Sequence, residues 1–168
     1  MTKLFTSISS FVAAGSCGTA AGLLVGFRLA GLETRIIAVG VVYGALVTRA
    51  LVVWHANHAA ALLSRIAPSA PRLRVGWRDV TVLGEYLGPG YGQATPAAQR
   101  AVDWARPHLT LETTYTGKAL AACLEHCGPD ARARAVLFWN TNNASQFPIA
   151  TGLDGLPDRL QRLLKELP

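Results

Sequence analysis

Phe11-Val-Ala-Ala-Gly-Ser-Cys-Gly-Thr-Ala-Ala-Gly22 is an apolar run that breaks into small and hydroxylated residues and then resumes as alanine, leucine and valine. Its reading decides the fold. Ser7 to Ala14 predicts a strand that ends at Gly15. Thr19 to Leu29 predicts a helix with Leu23, Leu24 and Phe27, joined by Ala30, on its apolar face, and Gly31 closes it. Arg35 to Val42 is almost continuously apolar, as a parallel strand covered on both faces must be. Strand, helix and strand in succession form one right-handed crossover unit.

The pattern continues outward. Ala45 to Ile66 predicts a helix, broken by Pro68 to Pro71. Arg72 to Leu83 alternates at Leu73, Val75, Trp77, Val80 and Val82 and reads as a strand or two. Gly84 to Gly92 is a loop. Thr95 caps a helix with Pro96 at its first position, running to Arg106. Leu109 to Thr113 is a short strand candidate, Thr116 to His126 a helix and Ala135 to Trp139 a buried strand. Leu156 to Leu167 is an amphipathic tail with Leu160, Leu163, Leu164 and Leu167 on one side, read as packing. The alternation argues an α/β fold: an open, mostly parallel sheet with flanking helices.

Composition narrows the function. The 168 residues are 51% hydrophobic and 15% charged, so the chain has a core rather than being disordered. The net charge of +6 comes from scattered arginines; only Lys3, Lys118 and Lys165 are lysines. Nucleic-acid binding calls for a basic stripe, which is missing. The most apolar stretch, Ile36 to Thr48, falls short of the about 20 residues a membrane span requires. No cleavable leader is legible in Met1 to Ser10, and three cysteines fit reduced thiols, so the chain is read as cytoplasmic.

Gly15-Ser16-Cys17-Gly18-Thr19 follows a strand and opens a helix. Helix N-termini expose unpaired N–H groups and partial positive charge, which suits phosphate. Ser16 and Thr19 add hydroxyls. The loop lacks both the Gly-Lys-Ser/Thr ending of a P-loop and the dinucleotide spacing, so a phosphate cradle and a plain turn both stand. Cys17 has no evident base to make it a nucleophile. Tyr91 between two glycines, and Tyr115 two residues before Gly117, lie at corners, exposed enough to act on a ligand, or simply pack with a wet hydroxyl. His55 and His58, one helical turn apart, lack a third ligand. Cys123 and Cys127 are read as core.

Four stretches stand in order: GSCGTAAGLLVGFRLAGLETRIIAVGV from Gly15, GPGYGQAT from Gly88, TYTGKALAA from Thr114 and VLFWNTNN from Val136. Together, over Val12 to Asn143, they resemble the C-terminal half of pyridoxal-phosphate enzymes of fold type II, the tryptophan-synthase β-like fold. The branch they resemble is that of D-cysteine desulfhydrase and 1-aminocyclopropane-1-carboxylate deaminase. The resemblance implies the large cofactor-binding domain of that fold and a lyase or deaminase acting on a small amino acid. It implies that Gly15, Ser16, Cys17, Gly18 and Thr19 bind the cofactor phosphate, with Cys17 where the family has glycine. Tyr91 and Tyr115 become catalytic tyrosines, Thr116 favours the desulfhydrase version, and Thr141 bonds the pyridine nitrogen. Asn140-Thr141-Asn142-Asn143 departs from the family's His-Thr-Gly-Gly. A tyrosine could exchange a proton with substrate if its pKa is lowered.

The family's Schiff-base lysine lies well upstream of the phosphate loop, where only Lys3 stands here, and nothing around it matches. Lys118 takes a structural or phosphate-side role, on the general ground that lysines are solvated. The expectation is one truncated domain over 1–168, half an enzyme, completed by a homodimer or a complementing N-terminal chain. The alternative is a non-catalytic remnant or docking module that still binds a phosphate ligand.

Overall fold

A computed structural model describes residues 8–127, 135–145 and 155–165. The readings of Lys3, Ser7 and Leu167 lie outside those residues. β1 (Ile8–Ala14) leads through the turn at Gly15–Cys17 into α1 (Gly18–Leu29), and β2 (Arg35–Gly40) follows. Next come α2 (Arg49–Ile66), β3 (Val80–Leu83), α3 (Pro96–Ala105), α4 (Thr116–Cys127), β4 (Ala135–Phe138) and α5 (Asp158–Lys165). The strands form one parallel sheet in the order β3-β2-β1-β4. Val12 stands opposite Ala38, Ile36 opposite Val80, and Phe11 opposite both Ile37 and Phe138. The fold is α/β, as the alternating pattern requires.

Side chains of a strand alternate between faces, so each central strand feeds two cores. Val12, Ala14, Ile36 and Ala38 pack against Leu24 of α1 and Val52, Ala56 and Ala60 of α2. Phe11, Ala13, Ile37 and Val39 pack on the other side, against α3 and α4. This double cover explains why β1 and β2 are apolar at nearly every position. Gly117 lets α3 and α4 approach closely: a Cβ there would sit 2.8 Å from both the Glu112 carbonyl oxygen and Val102 Cγ2.

Several segments differ from the sequence reading. The helix expected from Ala45 begins at Arg49, because Thr48 is extended and its hydroxyl accepts from the Leu51 N–H at 3.2 Å; a short 3-10 turn covers Gly44–Leu46. β2 ends at Gly40, before Val42. Arg72 to Gly76 forms no strand. Asn57 of α2 clasps Val75 from both sides, accepting from its N–H at 3.0 Å and donating to its carbonyl at 2.9 Å. The alternation there records contact with a helix, and only Val80–Leu83 joins the sheet. Leu109 to Thr113 is not a strand either, since the Thr110 carbonyl accepts from the side chains of Asn140 and Asn142. β4 is an edge strand with partly exposed side chains, Leu137 at 39%, rather than a buried one. Leu160 and Leu163 of α5 are exposed, against the packing expected of that tail. Among the described residues no helix is long and apolar enough to cross a membrane.

Candidate functional site

The strand order reverses at β1. The chain moves from β1 outward through β2 to β3, then returns to lay β4 on the other side. In open parallel sheets the crevice beyond the carboxyl ends of the strands at such a reversal is where ligands bind. Here a cleft of about 700 Å³ opens at that point. Ala13, Gly15, Ser16 and Thr19 form its wall from the β1–α1 turn, and Thr141, Asn142 and Asn143 form the wall that follows β4. Glu112, Thr114 and Tyr115, which lead into α4, with Thr116 at its start and Tyr91, complete it.

The β1–α1 turn presents an open helix end. No side chain caps α1, and its first turn carries no acidic residue. Gly15, Ser16, Gly18 and Thr19 are at least partly exposed there, whereas Cys17 is buried at 1% exposure. Cys17 adopts φ 66°, ψ −4°, the left-handed region that a non-glycine residue enters at a cost of roughly 1–2 kcal/mol. That twist turns its side chain inward, with Sγ 3.7 Å from the Leu46 carbonyl oxygen, and leaves the outer side of the turn to its neighbours. Burial raises the Cys17 thiol pKa, which leaves it a poor nucleophile. Neither Cys17 nor Gly18 lines the cleft directly.

The tyrosines meet at its mouth. Tyr91 and Tyr115 share a hydrogen bond of 2.8 Å between hydroxyls, their rings packed edge-to-face. That bond, more than burial or the nearby Glu112 charge, raises the pKa of Tyr115. The lowered tyrosine pKa considered from the sequence is not found at Tyr115, whose hydroxyl stays protonated at neutral pH. Gly15 lies under its ring, for a Cβ there would touch Tyr115 Cε1 at 3.6 Å.

Glu112 is a site residue that sequence reasoning missed. Its carboxylate accepts from the N–H groups of Thr114, Tyr115 and Thr116 at 2.6–3.1 Å and from the Thr116 hydroxyl at 3.1 Å. Burial opposes the charge, but these donors outweigh it and hold the carboxyl below its ordinary pKa. The signal was present as a carboxylate just before a helix start, the usual place for one to satisfy orphan N–H groups.

Lys118 is not solvated. Its side chain is fully buried, and Nζ donates to the Leu87 carbonyl at 2.8 Å and the Gly90 carbonyl at 3.5 Å. Burial lowers its pKa, with Glu112 opposing. Lys118 therefore ties the loop that carries Tyr91 to α4, which follows Tyr115, and it does not line the cleft. No lysine among the described residues lines that cleft. His55 and His58 pack around Trp54, and no metal-binding cluster occurs among the described residues. Cys123 and Cys127 lie with sulfurs 4.0 Å apart, and burial with the second thiol pushes Cys123 up to about 12.

No protein-family model matches the chain. No curated protein matches it either. Among solved structures, the fold is similar to that described as "Crystal Structure Analysis of the ACC deaminase homologue", with a TM-score of 0.54 and 22% sequence identity. The match covers 82% of this chain and 40% of that one, so the chain spans less than half the length of the protein it resembles.

Proposed function

We propose that this chain is the cofactor-binding part of a pyridoxal-phosphate-dependent lyase or deaminase of the D-cysteine desulfhydrase and 1-aminocyclopropane-1-carboxylate deaminase type. One observation carries the reading: an uncapped helix N-terminus, two hydrogen-bonded tyrosines and Thr141 face a single cleft where the strand order reverses. The residues fit the group. The α1 N–H groups with the Ser16 and Thr19 hydroxyls suit a phosphate, because donors and helix dipole act together there. Thr141, across the cleft, offers a hydroxyl to the pyridine nitrogen. When bound, the cofactor supplies an electron sink, a mild one where a hydroxyl rather than a carboxylate meets the pyridine nitrogen. Tyr115 delivers a proton to the substrate side of the cleft, and Tyr91 holds that proton in place through the shared hydrogen bond.

Lys118 is not placed to supply the amine that links the cofactor, since it does not line the cleft and its Nζ is committed to the Leu87 and Gly90 carbonyls. The linking amine would come from outside the described residues that line this cleft. Lys118 also favours a second reading, a non-catalytic module that binds a phosphate ligand without turning it over.

Titration of pyridoxal phosphate, followed by quenching of tryptophan fluorescence, tests the assignment. Saturable binding to wild type, abolished in Gly18→Asp, supports the cradle; equal affinity in both removes it. Borohydride then separates the two chemistries. Binding without a borohydride-trapped lysine fits this chain alone, and a trapped Lys118 that tracks turnover would overturn the division of labour.

A further inference from the structure

Two thiols stand apart from the candidate site and take no part in it. Cys123 and Cys127 lie one turn apart on α4, on the same side of the helix, with their sulfurs 4.0 Å from each other. Both are free. Cys123 is buried at 6% exposure, whereas Cys127, the last residue of α4, is partly exposed, so a reagent meets Cys127 first. The cleft lies at the other end of α4, about 16 Å away at 1.5 Å per residue. The surroundings are apolar: Phe11, Leu120 and Phe138 belong to the same core cluster as the two thiols.

His126 stands next to Cys127 but is engaged elsewhere. Its Nδ1 meets the Ala122 carbonyl at 3.0 Å, and its ring packs against Phe11 and Tyr86. No group of three His, Cys, Asp or Glu side chains that could hold a metal occurs among the described residues. Zinc, which takes four ligands, is therefore not served. A disulfide requires sulfurs about 2.05 Å apart, about half the present gap, between positions fixed on one helical turn. A single atom bonded to both sulfurs fits better. At about 2.3 Å per bond, the length zinc makes to sulfur, one atom spans the gap.

We propose that Cys123 and Cys127 form a two-sulfur binding site for a monosubstituted trivalent arsenical, R–As(OH)2. Carbon already fills one of the three bonds of that arsenic, so two thiols complete it and no third ligand is needed. The step is a condensation. Two As–O bonds and two S–H bonds break, two As–S bonds form, and two waters carry away the protons and oxygens. Nothing is oxidised or reduced. Neutral thiols enter and a neutral adduct results, so the burial that keeps Cys123 protonated does not oppose the net reaction. The site is independent of the proposed function and stands or falls without it.

Phenylarsine oxide, which hydrates to R–As(OH)2 with R a phenyl group, is the probe, used on the full chain. Mass spectrometry of the intact protein should show one phenylarsenic group per chain, with two of the three thiols lost to titration. Digestion should place both bonds on the fragment that holds Cys123 and Cys127. Cys127→Ala should weaken binding about a hundredfold, the loss expected when two linked bonds become one. That residue is partly exposed, so the variant does not disturb the core as Cys123→Ser would. Excess glutathione, a monothiol, should leave the adduct in place, and 2,3-dimercaptopropanol, a dithiol, should strip it. Undiminished binding in Cys127→Ala, a bond mapped to Cys17, release by glutathione, or no adduct at all overturns the site.

Discussion

Lys118 Nζ donates to the carbonyl oxygen of Leu87 at 2.8 Å, joining the core of α4 to the glycine-rich loop 31 residues earlier in the chain. A fully buried ammonium keeps only these carbonyl contacts in place of water, so its charge is costly and its pKa is depressed. The unfolded chain binds the proton more tightly than the native one. The cost is therefore present at low pH and is relieved as pH rises from the depressed folded value toward the ordinary 10.5. Wild type should gain stability over Lys118→Met across that window, measured as the difference between the two proteins in urea unfolding from pH 7 to 10.5. A difference that stays flat with pH would refute the depressed pKa. At pH 7 the variant should also loosen the loop, seen as faster amide exchange at Gly90 to Gly92.

Removing the Tyr91 hydroxyl should lower the pKa of Tyr115, because the bond between them is the first cause of its elevation. The measurement is an NMR titration of the Tyr115 ring carbon in wild type and Tyr91→Phe. A Tyr115 pKa that rises or stays put would show that the two hydroxyls do not share a proton in solution.

Glu112→Gln keeps the shape of the side chain but removes the charge that three N–H groups face. Charged acceptors contribute about 1.5–3 kcal/mol per hydrogen bond, and the amide retains one oxygen, so a loss of about 2 kcal/mol is expected at neutral pH. The folded carboxyl titrates below its ordinary 4.5. Its stabilisation is therefore complete above that value and is lost as pH falls through the folded pKa. Acid unfolding curves of wild type and variant should converge in that range.

Gly117→Ala should destabilise by about 2–3 kcal/mol, the usual cost of overpacking a tight contact, since its Cβ would press on Glu112 O and Val102 Cγ2. Thermal unfolding measures it. A change under 0.5 kcal/mol, roughly that of an ordinary surface substitution, would mean that α3 and α4 can part without penalty.

Cys17→Val should cost about 2 kcal/mol or more, because a β-branched residue resists the left-handed backbone that position 17 occupies. Cys17→Gly should stay within roughly 1 kcal/mol of wild type, relief of strain offsetting lost burial and greater chain entropy. Equal losses in the two variants, read from urea denaturation, would contradict the observed φ.

How far the sequence carries depends on what each segment touches. β1, α1, β2 and α3 were legible because strand alternation, double-sided burial and the Thr95–Pro96 cap are local signals that the fold does not override. Arg72 to Gly76 misled because period-two alternation cannot distinguish a strand neighbour from the side chain of Asn57. Leu109 to Thr113, read as a short strand, instead has its Thr110 carbonyl met by the side chains of Asn140 and Asn142, 30 and 32 residues further on. In the candidate site, the loop residues and both tyrosines could be named from motifs. That Tyr91 bonds Tyr115, that Lys118 turns inward, and that Glu112 gathers the start of α4 depend on packing between distant segments, which one sequence does not display.

The strand order has a consequence for biosynthesis. β2 follows β1 closely in the chain and can pair with it early, but the other edge of β1 waits for β4, which begins more than a hundred residues after β1 ends. Until then a central hydrophobic strand offers unsatisfied main-chain groups on one side, the condition under which nascent chains misassociate. Slowed translation before Ala135 should lengthen that interval and raise the need for chaperones, a vulnerability written into the order of four strands.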